Sequence, residues 1–394
     1  MAGTISRGIK APIIREGDDI VKIVADSVLD AAKQDGFSLQ NKDVICVTEA
    51  VVARADGNYA STEAIAADVH AKLGGETIGV IFPILSRNRF AICLRGVAKS
   101  AKKIVLMLSY PSDEVGNHLF DLDLLDESGI NPYTDVLSLD DYRKAFGSIK
   151  HPFTGVDYVD YYKNLIEEEG AEAEIIFANH AEAIVPYTKN VLCCDIHTRE
   201  RSKRRILNAG GERVFTLAEI LNQSVNGSGY NPAYGLLGSN KATETTVKLF
   251  PKNAQETAES IQKEILSRTG ICVEAMIYGD GAFKDPVGKI WELADPVVGA
   301  GYTDGLNGLP NEVKLKYLAD NDFANLKGAA LEEAIRRRIK EKDIDLKGDM
   351  VSEGTTPRRL TDLIGSLCDL TSGSGDKGTP IVLVQNYFNN FANE

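Results

Sequence analysis

The sequence predicts an α/β protein, mixed between α/β and α+β organisation, on three observations. Segments with helical apolar spacing alternate with short β-branched runs; the runs break at glycine-bearing turns; and those turns gather carboxylates, hydroxyls and amines. Turns of that composition on a scaffold of helices and strands are where chemistry is expected.

From Asp18 to Ala32 the apolar residues Ile20, Ile23, Val24, Val28 and Leu29 recur at helical spacing, with Asp18 as the cap and Gly36 beyond the end. DVICVTEAVVARADGNY begins as a compact β-branched run and breaks at Asp56-Gly57, which predicts a buried strand running into a turn. A second helix is expected over Thr62 to Leu73, and GVIFPIL, FAICLRG and KIVLMLS read as strands. Across 111–234 the texture becomes aromatic and acidic, then passes through the strand candidate EIIFA, the basic RERSKRR and the Gly/Asn-rich NQSVNGSGYNPAYG. This segment is expected to be an inserted α/β subdomain, interrupting a discontinuous core made of 1–110 and 235–394. NAQETAESIQKEILSRTG reads as a helix with Ile261, Ile265 and Leu266 inward and Gly270 at its stop, and ICVEAMIY as a strand ending at Gly279-Asp280-Gly281. Thr356-Pro357 opens another helix, which exits into TSGSGDKGTP before a final buried strand, IVLVQ.

A chain of 394 residues has room for two or three domains. Its 44 basic and 57 acidic residues leave a formal charge of −13, which repels phosphate backbones and anionic lipid, so nucleic acid is excluded as the expected partner. Small phosphorylated ligands remain compatible, because a nest of amides holds an anion against an unfavourable net charge. The six cysteines contain no CxxC pair and read as reduced core residues. No run approaches the roughly 20 apolar residues of a membrane helix, and the N-terminal stretch lacks a signal-peptide core; a cytoplasmic protein with no membrane partner is the expectation.

Three turns look chemical. Tyr278-Gly279-Asp280-Gly281-Ala282-Phe283 sets an aspartate between two glycines at a strand end, a hard oxygen ligand for magnesium or manganese, or an ordinary Asp-Gly turn. Ser372 to Pro380 concentrates small residues with Asp376 and Lys377, suited to wrapping phosphates or to simple connection. It is not a P-loop, because G-x-x-x-x-G-K-[ST] is absent. Gly235-Leu236-Leu237-Gly238-Ser239-Asn240-Lys241 lines up a hydroxyl, an amide and an amine. Elsewhere, Cys193-Cys194-Asp195-Ile196-His197 has no zinc spacing, Arg336-Arg337-Arg338 is explained by pairing with Glu332 and Glu333 on a helix, and the five histidines share no frame for a triad.

Taken in order along the chain, these turns and their neighbours resemble the coenzyme F420-0:L-glutamate ligase family, whose members extend a deazaflavin coenzyme. Ala11-Pro12-Ile13-Ile14-Arg15-Glu16-Gly17-Asp18-Asp19 looks like the family's nucleotide-contacting segment, and DVICVTEAVVARADGN like its strand and turn, with Arg54 at a lysine and Asp56 at a glutamate. GLLGSN is similar to Gly-x-Asp-x-Ser-Asn: Ser239 and Asn240 agree, but Leu237 stands where the family has a metal-binding aspartate. IYGDGAF resembles the strand-end Asp-Thr-x-Gly, and GSGDKGTPIVLV the Gly-Gln-x-Asp-Glu-Gly-x-Pro loop and final strand, where Gly373, Asp376, Gly378 and Pro380 agree and Ser374 and Lys377 differ. The segment 111–234 has no counterpart in compact members.

The resemblance implies a γ-glutamyl ligase fold and a ligase that uses GTP or ATP to join L-glutamate to a carboxylate of a small acceptor, an F420-0-like deazaflavin, through an acyl phosphate. A folate, pterin or other small acceptor, or a non-catalytic nucleotide-binding regulatory protein, are the alternatives. It further implies Asp280 and Asp376 as catalytic residues and as ligands of Mg²⁺ or Mn²⁺. Pro12, Ile13, Glu49, Arg54, Ser239, Asn240, Gly373, Ser374, Gly375 and Lys377 would contact the nucleotide, and the chain would form a homodimer. Leu237 implies a metal site completed by another carboxylate, a weaker site or altered chemistry. Arg87, Arg89 and Arg95 in SRNRFAICLRG are candidates for substrate carboxylates, which guanidinium forks suit.

Overall fold

The structure, a computed structural model, describes residues 3–283, 293–352, 358–372 and 376–393. Its first sheet runs in the order β1 (Ile5–Ile9), β14 (Ile381–Gln385), β2 (Val44–Thr48), β12 (Glu274–Tyr278), β13 (Gly299–Tyr302). The β2–β12 pair is parallel and the other pairs are antiparallel. The central strands are apolar on both faces because both faces are covered. On one, Ile45, Val47, Ala275, Ile277 and Leu383 pack with helices α1 (Ile20–Asp35) and α9 (Ala254–Thr269). On the other, Val44, Cys46, Met276, Tyr278 and Val384 pack with Ile364 and Cys368 of α12 (Leu360–Ser372). Each such aliphatic side chain, taken fully out of water, contributes roughly 1.5–3 kcal/mol.

Gly301 of β13 is what lets α9 come so close. A Cβ there would fall onto the Ala254–Gln255 peptide at the helix N-terminus, where only backbone is in the way. Gly301→Ala is expected to lower the unfolding free energy by about 2 kcal/mol or more, since the helix must shift, and urea denaturation measures it.

The second sheet has the order β6 (Leu137–Ser138), β7 (Glu172–Phe177), β5 (Lys103–Leu108), β4 (Thr77–Ile81), β8 (Asn190–Cys193), β9 (Arg213–Thr216). All its pairs are parallel except the β6 edge. It is wound on both faces. Helices α3 (Thr62–Leu73), α4 (Phe90–Ala98) and α7 (Tyr158–Glu168) cover Ile78, Val80, Leu106 and Phe177, while α8 (Arg199–Asn208) covers the face with Ile81, Met107 and Val191. Segment 111–234 supplies β6 to β9 and shares this sheet with β4 and β5, so the sheet begins upstream of residue 110, at Thr77. Strand order reverses between β4 and β8, and ligands of doubly wound sheets collect outside the carboxyl ends at such a reversal.

A small third sheet, β10 (Asn240–Lys241), β11 (Thr246–Lys248) and β3 (Tyr59–Ser61), lies between the elements of the other two along the chain. Helices α2 (Glu49–Ala55), α5 (Leu122–Ser128) and α6 (Leu139–Phe146) complete the body, and α10 (Leu315–Asp320) and α11 (Gly328–Lys340) bury Leu318, Ile335 and Ile339 against Ala392 near the C-terminus. Among the described residues no helix is long and apolar enough to cross a membrane.

Several expectations need correction. FAICLRG is helix α4, not a strand. Its Phe90, Cys93, Leu94 and Val97 do have helical spacing, but Ala91, Ile92 and Ala98 are buried as well, so no polar face marks the period. Gly96 allows the contact, because a Cβ there would meet Ile65 of α3 at 2.6 Å. The strand β2 runs into the short helix α2 before reaching the turn at Asp56-Gly57. The cap of α1 is Asp19, whose carboxylate accepts from the Lys22 amide at 3.0 Å, while Asp18 turns back to the Arg15 amide. Leu266 points out, 43% exposed, one position past the buried Ile265. The expected helix opening at Thr356-Pro357 lies outside the described residues.

Candidate active site

The loop after β4 is anchored from the segment beyond residue 110. The Tyr162 hydroxyl donates to the Ile84 carbonyl and accepts from the Ser86 amide, both at 2.8 Å. Asp113 accepts four N–H groups, from Leu85, Val115, and the amide and side chain of Asn117. Ser86 then accepts from the Arg89 amide at 3.1 Å, fixing Arg89 at the start of α4.

Burial pushes the Asp113 carboxyl up to about 6, against the four N–H donors that favour its ionised form. An unfolded aspartate titrates near 3.9. The folded chain therefore holds more protons than the unfolded chain between those values, so stability is full below about pH 4 and falls as the pH rises through about 6. The expected loss is on the order of 2–3 kcal/mol. Asp113→Asn is expected to be less stable throughout, but to lack this contribution to the slope. Urea midpoints of the two proteins at pH 4 and 6.5 check it, because their other carboxylates are common.

Facing this loop is the end of β12. The Gly279 amide donates to the Val298 carbonyl, the Asp280 amide to Asp295 Oδ2 at 2.9 Å, and the Gly281 amide to Asp369 Oδ2 at 2.8 Å. Residue 279 has to be glycine, because a Cβ would overlap the Asp295 carboxylate. Arg89 crosses from the opposite wall: Nη2 donates to both oxygens of Asp280 at 2.9 and 2.8 Å, and Nη1 to Asp295 Oδ1 at 2.6 Å. Burial disfavours the charged guanidinium, but Asp295 and Asp280 outweigh it and raise its pKa. Beneath lies a second pair, Lys248 Nζ to both oxygens of Glu49 at 2.8 and 2.6 Å, with Glu49 only 4% exposed. Burial pushes the Glu49 carboxyl up and Lys248 opposes it; Asp295 and Arg89 are near enough to act on it too. This chain of charges, its two groups within electrostatic reach of each other, runs across β11 and segments that follow β2, β4 and β12.

Above these charges opens a cleft of about 1250 Å³, lined by Arg87, Arg89, His151, Tyr158, Tyr161, Lys241, Asp280 and Asp369 among others. His151 is 5% exposed, and its Nδ1 has no hydrogen-bond partner among the described residues. Burial, then the neighbouring His118, lowers its pKa, so the imidazole is held neutral at pH 7. Asp369 is pushed up by burial.

The expected site residues divide into groups. Asp280 and Glu49 belong to the charge chain. Ser239 is 3% exposed, its hydroxyl 3.3 Å from Cys93 Sγ, and Asn240 pairs across from Lys248 in β10–β11. Pro12 and Ile13 are exposed in the N-terminal loop, which bonds through the Ala11 amide to the Gly378 carbonyl and through the Gly17 amide to the Ala55 carbonyl. Exposed Arg54, Asp376 and Lys377 therefore lie on elements tied to that same loop. Asp376 does not line the cleft; Asp369, seven residues earlier on α12, does. Gly373, Ser374 and Gly375 lie outside the described residues. Of the three arginines, Arg87 and Arg89 line the cleft, whereas Arg95 pairs with Glu168 and Glu169.

Sequence reading missed Asp295, Asp369, His151 and Lys248. Lys248 alone left a signal: a single cation inside the apolar run VKLF asks for a buried partner.

The residues at Asp280 do not fit the divalent cation that the resemblance implies. All four oxygens of Asp280 and Asp295 already accept from Arg89 or from the Asp280 amide. Leu237, at the position of an expected ligand, is buried at 1% exposure. Among the described residues no group of three or more His, Cys, Asp or Glu is placed to hold a metal ion.

No curated protein sequence matches the chain. A family model described as F420-0:gamma-glutamyl ligase matches residues 8–386, nearly the whole length, and the chain belongs to that family.

Proposed function

We propose that the chain is a nucleotide-dependent γ-glutamyl ligase, forming an amide between L-glutamate and a carboxylate of an F420-0-like acceptor. The family match from residue 8 to 386 carries this reading, and the charged cleft supports it. In the proposed sequence the γ-phosphoryl group of GTP or ATP passes to a carboxylate oxygen of the acceptor, giving an acyl phosphate and a nucleoside diphosphate. The glutamate amine, having lost a proton, attacks the acyl carbon; the C–N bond forms and phosphate leaves with the C–O electron pair. Positioning and charge neutralisation are what the protein supplies.

Arg87 is unpaired by any acid among the described residues and lines the cleft, so it is assigned to a substrate carboxylate. His151, neutral and on the same wall, is assigned to the proton of the attacking ammonium. Arg89, oriented by Asp280 and Asp295, provides fixed positive charge near the reacting phosphoryl group. The exposed rim of Pro12, Ile13, Arg54, Asp376 and Lys377 is proposed to receive the nucleotide. The homodimer and the cytoplasmic setting belong to the same proposal.

Purified protein incubated with glutamate, GTP or ATP, Mg²⁺ or Mn²⁺ as the nucleotide's counter-ion, and deazaflavin, folate and pterin acceptors tests the reading. A glutamyl product with matching diphosphate release is expected with the deazaflavin. Nucleotide binding without diphosphate release on any acceptor would instead favour a regulatory protein that kept the fold, a reading for which buried Leu237 speaks. Light scattering reads the dimer.

A further inference from the structure

We propose that Arg89 takes the place of a protein-held divalent cation between Asp280 and Asp295, making this cleft a guanidinium–carboxylate site that binds no metal of its own. The inference concerns ion binding and stands apart from the ligase reading.

A carboxylate as buried as Asp295, 1% exposed, needs a positive partner or a set of donors. It has both: Arg89 Nη1 on Oδ1 at 2.6 Å and the Asp280 amide on Oδ2 at 2.9 Å. The same guanidinium forks onto Asp280 through Nη2, so one planar cation bridges two carboxylates as a bound ion would. A divalent ion entering between them would have to displace the guanidinium from three contacts. It would then leave that charge beside its own, a like-charge contact in a half-buried site.

The walls agree with this assignment. Arg89 lines a small apolar cavity together with Leu237, Leu236 and Cys93. On this side no carboxylate lines the cavity, its one side-chain oxygen being the Ser239 hydroxyl, which is paired with Cys93 Sγ, and Leu237 is where the family has a further carboxylate. Nor does Arg89 have an easy way out, since its backbone is pinned by Ser86 at the start of α4. Glu49 has its own cation in Lys248, so it does not draw Arg89 away from the two aspartates.

Electron paramagnetic resonance of free Mn²⁺, titrated into the nucleotide-free protein at pH 7, tests the proposal. Wild type and Asp280→Asn are expected to bind Mn²⁺ with the same stoichiometry and the same weak affinity, because no ion uses Asp280. Arg89→Ala uncovers the aspartates and is expected to gain one site at least about tenfold tighter, equivalent to about 1.4 kcal/mol. That site should disappear in Arg89→Ala/Asp280→Asn. A tight Mn²⁺ site in wild type that Asp280→Asn removes would overturn the proposal, as would a folded Arg89→Ala that gains none. The wild type against Asp280→Asn comparison leaves Arg89 untouched, so it decides the matter even where Arg89→Ala does not fold.

Discussion

Lys248→Ala is expected to destabilise the protein by about 3–5 kcal/mol, the largest loss from any single charge removed here. Lys248 is 8% exposed and its Nζ touches both oxygens of Glu49, itself 4% exposed. Removing the amine leaves a carboxylate buried under the cleft with Asp295 close by. Glu49 must then take up a proton or admit water beside it. The cost belongs to the stranded charge rather than to the intrinsic value of the pair. Glu49→Gln/Lys248→Met should therefore recover most of the stability, and a double-mutant cycle by urea denaturation measures a coupling of about 2 kcal/mol or more. If Lys248→Ala alone costs less than about 1 kcal/mol, the pair is not the closed contact described here.

How far the site could be read from the sequence depended on how far apart its partners lie along the chain. Strands β2, β12 and β14 were legible as compact apolar runs because both of their faces are covered. The ends of α1 and α9 were legible from Gly36 and Gly270, which take the left-handed conformation at the caps. Asp280 stood out because the glycines on either side and the strand before it are local features. Its significance did not, since the partner that defines it, Arg89, is 191 positions away, and Glu49 and Lys248 are 199 apart. No local period records such pairings. Helix α4 failed for a different reason: burial on nearly every face removes the polar stripe by which a helix is recognised. Asp376 was singled out because it sits in a loop of small residues that looks chemical, while Asp369, inside a helix, was not noticed. Yet Asp369 is the acid that α12 carries to the cleft wall, where it accepts the Gly281 amide.

On the ligase reading, Asp280→Asn is expected to lower kcat by about 10²-fold or more while leaving the fold intact, on the scale of removing one preorganised charge contact. Asparagine preserves the shape of the side chain and one oxygen for the guanidinium, and Arg89 keeps its bond to Asp295, so no buried charge is stranded. Asp280 is itself about a quarter exposed, at 24% of the side chain, which keeps the stability change below about 1 kcal/mol. What changes is the aim of Arg89. With one carboxylate of the fork neutral, the guanidinium is free to swing about the Asp295 bond, and an error of an ångström in a catalytic charge is costly. Because Asp280 acts through Arg89 rather than on the glutamate carboxylate, KM for glutamate should move little. Arg87→Ala should do the reverse, raising that KM about tenfold or more with a smaller effect on kcat. Steady-state kinetics on the two variants separate the roles. A large rise in the KM for glutamate in Asp280→Asn, with kcat unchanged, would place Asp280 against the substrate instead of behind Arg89.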